Sequence, residues 1–386
     1  DLIVSRGLGD VYKRQASAIT LILLISFSFV LVGFFYSKKF KGLNNYLVAN
    51  RSVGTFSLTC SLVASALGTW ILFGPASAAT WGGIGAVIGY SLGTAFPLFA
   101  IIFIGKIFRT SYPKAKTLIE VIRLRFGKHI FKLILILSIF YMTIFLIAEV
   151  TAVSILINYI SGTKLWITAL IVISSSLIYT LYGGLRASIF TDNIQFIVFT
   201  LLLLIAFSYL FSFNTNEFSF EFINKNKPNL LSKNYIPNFT AGLTFFIAVA
   251  ATNLFHQGNW QRVYAAKNND VLKKSLLFSF LIIIPIVYMM GFTGLVSVSK
   301  NLNVTPDLAF FSLLLNKEIP TLSIIVIVLG ISLTISSIDT LINAISSLII
   351  VDGKKILSSK KDYLRLSLSL IHIFSLIALY LSLIHI

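Results

Sequence analysis

The sequence predicts an all-α polytopic membrane protein, and three observations support this class. Of 386 residues, 57% are hydrophobic and only 11% are charged, and the mean hydropathy is +0.91, whereas roughly a quarter of the residues in a soluble domain are charged. Apolar runs of about 20 residues, enough to cross the hydrocarbon core of a bilayer, recur along the chain. These runs are too long and too continuously apolar for barrel strands, so they predict helices.

Nine complete apolar segments are predicted to span the membrane. In chain order they cover residues 17–36, 55–79, 84–108, 131–157, 165–182, 188–212, 240–260, 275–298 and 321–351. A tenth run begins near Leu364 and continues to the end of the sequence. The ninth segment exceeds the length of a perpendicular span, so we expect it to tilt or to project into water.

The basic residues predict the topology of these segments. If the loop after the first segment is cytoplasmic, most of the 31 lysines and arginines fall on the cytoplasmic side, as the positive-inside rule requires. The net charge of +18 is therefore mainly a topology signal, and we expect no nucleic-acid partner. The single cysteine, Cys60, excludes a disulfide framework and a cysteine-based metal site.

Two terminal stretches look foreign to the rest of the chain. Residues 1–15 are polar and basic, yet the predicted topology places them outside the cytoplasm. The hexapeptide LSLIHI occurs at 368–373 and again at 381–386. We interpret 1–15 as a non-native tail and leave it out of the fold prediction, and we treat 381–386 with the same caution.

Ionisable side chains inside a membrane are costly, so each is a candidate functional residue. Three acids lie within or at the edge of predicted spans, namely Glu149, Asp192 and Asp339. Arg186 and Arg262 lie at predicted cytoplasmic ends, and we interpret both as topology anchors that reach the interface.

The second segment predicts a broken helix. It contains Gly68, Gly74 and Pro75, which weaken helix continuity, and the proline ring also removes one amide donor. A helix that breaks at mid-depth frees carbonyl oxygens, which can coordinate a cation. Close helix packing through small residues is the alternative.

The ninth segment concentrates hydroxyl groups in an apolar span. Sodium is a hard cation and prefers oxygen ligands, as calcium and magnesium do. The adjacent hydroxyls of Ser336 and Ser337 are therefore predicted to complete a sodium shell that the second segment begins. The alternative is that each hydroxyl bonds back to a carbonyl of its own helix. The polar residues of this stretch are Ser332, Thr334, Ser336, Ser337, Asp339 and Thr340.

The seventh segment carries many polar groups in its cytoplasmic half. Because such groups cannot face lipid, we predict that they face a water-filled cavity or another helix. Contact with a transported solute is the interpretation we carry forward, and a purely structural role is the alternative. The residues are Asn253, His256, Gln257, Asn259, Trp260 and Gln261.

Four strings, in this order, resemble stretches of the sodium:solute symporter family, whose members carry proline, pantothenate, sugars, urea and related solutes. The strings are KGLNNYLVANRSVGTFSLTCSLVASALGTW, YGGLRASIFTDNIQF, NWQRVYAAKN and ISSIDTLINAISSLIIVD. The resemblance implies a LeuT-like core of two inverted five-helix repeats preceded by one extra helix. It assigns 16–52 to the extra helix and its loop, 53–213 to the first repeat, 214–239 to an extracytoplasmic loop and 240–386 to a truncated second repeat.

The resemblance also implies site residues. The family's sodium site maps onto the carbonyls of Ala64, Leu67 and Leu333 and the hydroxyls of Ser336 and Ser337. The resemblance also places Asp192 near the ion path and aligns His256 and Gln257 with a solute-contacting segment of the sugar carriers. From the residues themselves we add Asp339 to the ion path and Trp70 and Trp260 to the candidate solute contacts. A packing role is the alternative for Trp70. Two departures bear on specificity, because proline carriers have an aspartate where this chain has Ala66 and sugar carriers have an aromatic gate where it has Gly258.

The sequence therefore predicts a symporter, not an enzyme, that imports a small organic solute across the inner cell membrane by alternating access. Sodium is expected to be transported with the solute and not to be held as a permanent cofactor. The chain alone does not predict an oligomeric state. Proton coupling, a symporter-like sensor domain of a histidine kinase and a channel are the alternatives.

Overall fold

The protein is described here from a computed structural model, which describes residues 2–213, 220–232, 234–302, 305–315 and 319–356. Within these ranges six helices are long and apolar enough to cross a membrane, or seven if one bent pair counts as a span. The predicted tenth segment and both copies of LSLIHI lie outside the described residues.

The helices follow one another along the chain with short connections. They are α1 (Leu2–Ser37), α2 (Leu43–Val48), α3 (Thr55–Ala66), α4 (Gly74–Ser111), α5 (Leu118–Ser161), α6 (Leu165–Phe213), α7 (Phe220–Asn226), α8 (Ile236–Leu254), α9 (Gln257–Ala265), α10 (Asn269–Ser299), α11 (Ala309–Leu314) and α12 (Pro320–Ser347). All nine predicted segments fall on these helices, which confirms the all-α prediction.

Three of the long helices are interrupted at a glycine, so there are fewer long helices than predicted segments. Gly83 in α4, Gly127 in α5 and Gly184 in α6 have φ values of +58°, +82° and +57°, a region that glycine adopts far more readily than other residues. A straight helix of the length of α6 would extend about 74 Å, over twice the hydrocarbon thickness. Gly184 therefore separates the two spans predicted at 165–182 and 188–212.

Close contacts explain why Gly83 and Gly184 carry no side chain. A Cβ atom on Gly184 would collide with Tyr46 of α2, and one on Gly83 would collide with the backbone of Leu230. At each interruption the glycine therefore has an unusual backbone conformation and also packs tightly against a neighbouring segment. A substitution at either position would disturb both.

Helix α12 forms the centre of the bundle. From Leu329 to Ile350 every residue is buried, including the polar ones. Its side chains pack mainly against α5 and α6 in one apolar cluster, and against α3 and the residues that follow it in another. The hydroxyl groups of the ninth segment therefore face protein and not lipid.

The seventh segment is also broken. Helices α8 and α9 meet at a bend of 52°. Ala266, which follows α9, forms a parallel β-bridge with Val53, two residues before the start of α3. The amide of Val53 donates to the carbonyl of Ala265 at 3.1 Å, and the amide of Lys267 donates to the carbonyl of Val53 at 3.0 Å. The cytoplasmic ends of the two broken elements, as the topology predicts them, are thus joined by backbone hydrogen bonds.

Candidate functional site

The predicted break in the second segment is confirmed. Helix α3 ends at Ala66, Leu67 and Gly68 are extended, a 3-10 turn covers Thr69–Leu72, and α4 begins at Gly74. Within the described residues, no amide outside the helices donates to the carbonyl oxygens of Ala64 or Leu67. The break therefore exposes backbone oxygens in the protein interior, where they are available to a ligand.

Helix α12 crosses the chain at this break. The Thr69 hydroxyl donates to the carbonyl of Gly330 at 3.1 Å and also bonds the hydroxyl of Thr334. A Cβ atom on Gly68 would lie 2.7 Å from Oγ of Ser337. The two stretches that the sequence predicts to bind sodium are thus in direct contact. Leu333 lies between the residues of α12 that make these contacts.

The two adjacent serines of α12 have different surroundings. The Ser336 hydroxyl donates to Oδ1 of Asp192 at 2.6 Å. Oγ of Ser337 is buried and has no hydrogen-bond partner within the described structure, although it lies against Gly68. A buried hydroxyl without a partner is rare in native proteins and calls for an explanation.

Asp192 forms a buried ion pair with Arg262. The two side chains are completely buried, and Nη2 of Arg262 lies 2.7 Å from Oδ2 of Asp192. Arg262 also donates to the hydroxyls of Ser61 and Thr340 and to the carbonyl of Gly258. The interpretation of Arg262 as an interfacial anchor is therefore wrong, because its guanidinium is enclosed by the protein and compensates a buried carboxylate.

Asp339 lies next to this pair but takes its hydrogen bonds from hydroxyl groups. Tyr179 donates at 2.5 Å and Ser188 at 2.8 Å, from the two arms of α6 on either side of Gly184. Thr191 donates more weakly at 3.3 Å. The carboxylate thereby fixes both arms of α6 against α12.

Glu149 of α5 reaches the break from a third direction. Its side chain is 3% exposed, and its Oε2 accepts a hydrogen bond from the amide of Thr69 at 3.0 Å. A Cβ atom on Gly68 would collide with Oε1 of Glu149. Glu149 and Ser337 therefore meet at the same point of the backbone.

The four candidate solute contacts are not in one place. Trp70 lies beside the break and stacks on Tyr90, with ring centroids 5.7 Å apart. Trp260 stacks on Phe108 at 5.3 Å. Tyr90 and Phe108 are separated along α4 by about 27 Å of helix rise. A small solute therefore cannot contact both tryptophans at once.

His256, Gln257 and Trp260 make contacts that hold α9 in place. Nδ1 of His256 accepts from the amide of Gly258 and caps the helix. The Gln257 side chain bridges the amide of Leu118 and the hydroxyl of Ser347. The Trp260 indole donates to the carbonyl of Leu254 at 2.8 Å. Their predicted contact with a solute stays a prediction.

Several residues of the site escaped the sequence analysis. Ser61, Tyr179 and Ser188 supply hydrogen bonds to the buried carboxylates, and Thr69 links the break to α12. Isolated hydroxyls in apolar helices most often bond to their own backbone, so the sequence held no signal that distinguished these from the others.

A cavity of about 590 Å³ lies away from this crossing. It is bordered by Thr80 and Trp81 of α4, Asn226 and Lys227 near α7, and Ser297 of α10. None of the predicted sodium or solute residues lines it. The cavity lies at the end of the bundle that carries the predicted extracytoplasmic loop.

Known transporters are similar to this chain in sequence. The spermidine transporter DUR31 of Candida albicans is 27% identical over 332 residues, which are 85% of this chain and 63% of that protein. Sodium/glucose cotransporter 1 of Mus musculus is 30% identical over 239 residues, 59% of this chain and 34% of that protein. The chain thus spans less than two thirds of the length of either curated relative.

A solved structure and a family model complete the comparison. A Na⁺-coupled sialic acid symporter, solved in a substrate-bound outward-open state, superposes with a TM-score of 0.73 at 16% identity, over 95% of this chain and 80% of that chain. At this identity the likeness concerns the fold, and it confirms the predicted LeuT-like architecture. The model of the sodium:solute symporter family matches residues 46–386. The chain is therefore a multi-pass membrane protein that belongs to the sodium:solute symporter family.

Proposed function

We propose that this protein is a sodium-coupled symporter that imports a small organic solute across the inner cell membrane by alternating access. One observation carries the proposal: among the described residues, the carbonyls of Ala64 and Leu67 accept no backbone hydrogen bond from outside the helices, and the hydroxyl of Ser337, which has no partner, lies beside Gly68. Oxygen atoms that lack protein partners in an apolar interior are the ligands that a hard cation requires.

The proposed sodium site consists of the carbonyls of Ala64, Leu67 and Leu333 and the hydroxyls of Ser336 and Ser337. Ser336 fits this role although it is hydrogen-bonded. Its hydroxyl donates a hydrogen bond to Asp192, so its oxygen lone pairs stay available to a cation. Asp192 and Asp339 remain proposed members of the ion path, since Asp192 touches the site through Ser336. Sodium in this scheme is cargo that leaves with the solute.

Coupling requires that sodium bind one state of the protein more tightly than the other, because equal affinity shifts no equilibrium. The proposed ligands come from two elements, the break after α3 and helix α12. A change in the angle between these elements would separate the ligands and release the ion. Sodium bound at the crossing therefore stabilises the state in which the two elements are in contact.

The relatives do not define the solute, because spermidine is a cation and glucose is neutral. We propose that the solute binds beside Trp70, where the break, Tyr90 and Phe245 form an aromatic wall. The contacts that His256, Gln257 and Trp260 already make support this placement over one beside α9.

Reconstitution tests the function. The full-length protein in proteoliposomes is screened with labelled polyamines, sugars, amino acids, urea and carboxylates, with and without an inward sodium gradient. We expect uptake of one class to depend on that gradient. Replacing Ser336 and Ser337 together by alanine should raise the sodium concentration that gives half-maximal uptake. Unchanged sodium dependence in this double variant would contradict the proposed site.

Proton coupling is the second candidate, and the buried carboxylate of Glu149 favours it. The same vesicles separate the two ions. A pH gradient imposed in the absence of sodium drives uptake only if protons are the coupling ion, whereas a sodium gradient at equal pH drives uptake only if sodium is.

A further inference from the structure

Glu149 is a buried acid that the proposed site does not use. It projects from α5 onto the break, where Oε2 accepts from the amide of Thr69 at 3.0 Å and the amide of Trp70 also interacts with the carboxylate. These amides belong to the start of the 3-10 turn that follows the break. The carboxylate is thus held in one position by the backbone.

Within the described part of the chain, no basic side chain pairs with Glu149, and the buried Arg262 pairs with Asp192 instead. A carboxylate that is removed from water and left without a counter-ion is strongly destabilised. Two backbone hydrogen bonds reduce this cost but supply no positive charge. Such a carboxylate is neutralised either by a proton or by a bound cation.

A second oxygen without a partner lies against the same point. Oγ of Ser337 would be 2.7 Å from a Cβ atom on Gly68, and Oε1 of Glu149 would collide with that atom. The hydroxyl and the carboxylate, from α12 and α5, are therefore neighbours across the glycine. The Leu67 carbonyl, which has no amide donor among the described residues, belongs to the preceding peptide.

We propose that Glu149 supplies a carboxylate ligand to the sodium ion, so that α5 becomes a third element of the site. This inference rests on the proposed function, because it assumes that sodium binds where the break meets α12. The carboxylate also gives the site the negative charge that the carbonyls and hydroxyls lack.

Equilibrium binding of labelled sodium to the purified full-length protein tests the role of Glu149 without any transport step. Because ligand charge tunes the affinity of oxygen sites over orders of magnitude, Glu149→Gln should weaken sodium binding by about tenfold or more. Glu149→Asp, which keeps the charge but shortens the reach, should lie between this variant and the native protein. Glu120→Gln is the matched control, because Glu120 lies at the other end of α5 and pairs with Lys355. This variant should bind sodium as the native protein does.

A measurement on the native protein covers the case in which Glu149→Gln does not fold. A hydrophobic carbodiimide modifies buried carboxyl groups, and peptide mass spectrometry reports the extent at each acid. We expect sodium to suppress modification of Glu149 while potassium at the same ionic strength does not. Equal modification in both salts would overturn the inference.

The failure of this inference can be told apart from failure of the proposed function. If Ser337→Ala weakens sodium binding and Glu149→Gln does not, the ion site stands and the carboxylate is not a ligand. If Glu149→Gln instead raises the KM for the solute at saturating sodium, with sodium affinity unchanged, the carboxylate binds the solute. If neither variant alters sodium binding, the proposed site itself is wrong.

Discussion

Two carboxylates in the interior of this protein, Asp192 and Glu149, have opposite surroundings. Asp192 faces the guanidinium of Arg262 and accepts from the hydroxyls of Ser61 and Ser336. Glu149 faces backbone amides alone, with no basic side chain beside it in the described structure. Both are buried, and the sequence identifies both in the same way, as acids within or at the edge of apolar segments.

The difference distinguishes a charge that the protein compensates from one that it does not. Asp192 has its counter-ion in Arg262, although the neighbouring Asp339 accepts from hydroxyl groups. Among the described residues, the region around Gly68 contains a carboxylate that no basic side chain pairs with, a hydroxyl without a partner and carbonyls without amide donors. Unsatisfied groups of this kind are costly in an apolar interior, which is why we propose that a ligand binds there.

The largest effect is expected for Arg262→Ala. Removing one partner of a buried ion pair leaves the other charge uncompensated, which costs about 3–5 kcal/mol. Thermal unfolding of the purified protein should show the loss. The double variant Asp192→Asn, Arg262→Met removes both charges and should be clearly more stable than Arg262→Ala. Equal stability of the two variants would mean that Asp192 needs no counter-ion.

Gly68→Ala should have the next largest effect. The added methyl group would displace Glu149 or Ser337, and overpacking of this kind costs about 1–3 kcal/mol. The same displacement should raise the sodium concentration that gives half-maximal uptake. Gly353→Ala is the matched control, since the backbone there is helical and a Cβ atom would meet nothing closer than 3.8 Å, and it should leave both quantities nearly unchanged.

The adjacent serines should respond differently to alanine. Ser336→Ala removes a donor to buried Asp192 and should lower stability by roughly 1–3 kcal/mol. Ser337→Ala removes a buried hydroxyl that has no partner among the described residues, so stability should not fall. Sodium affinity should nevertheless fall in the Ser337 variant. Unfolding in sodium-free buffer, compared with sodium titration, distinguishes the two responses.

The smallest effects are expected from the tryptophans. Trp260→Phe removes the hydrogen bond to the carbonyl of Leu254 and should lower stability by about 1 kcal/mol, with little change in the KM for the solute. Trp70→Phe should change the KM with little change in stability. The reverse pattern would move the proposed solute site from the break to α9.

The sequence predicted the segments that form this site better than it predicted the side-chain contacts within it. Gly68 and Pro75 indicated the break, and the hydroxyls of the ninth segment indicated an oxygen-rich face, because glycine, proline and buried hydroxyls have local signatures. The partner of Arg262 had no such signature. Asp192 lies 70 residues away along the chain, and a basic residue at the end of a span fits an anchor equally well.

The different roles of Ser336 and Ser337 were also beyond the sequence. Neighbouring residues on a helix point in directions about 100° apart, so only the packing around α12 decides which hydroxyl meets Asp192 and which meets the break. The interruptions at Gly83 and Gly184 fall in the gaps between spans that the sequence predicted, but the contacts at these glycines could not be predicted. Leu230 approaches Gly83 and Tyr46 approaches Gly184 from distant parts of the chain.

The short β-bridge at Val53 has a mechanical consequence. It joins Val53, two residues before α3, to the end of α9 through two backbone hydrogen bonds. In the proposed alternating-access cycle, these two broken elements must move together at their cytoplasmic ends, or the two hydrogen bonds must first break. The strength of this bridge would then contribute to the barrier between the two states of the proposed cycle.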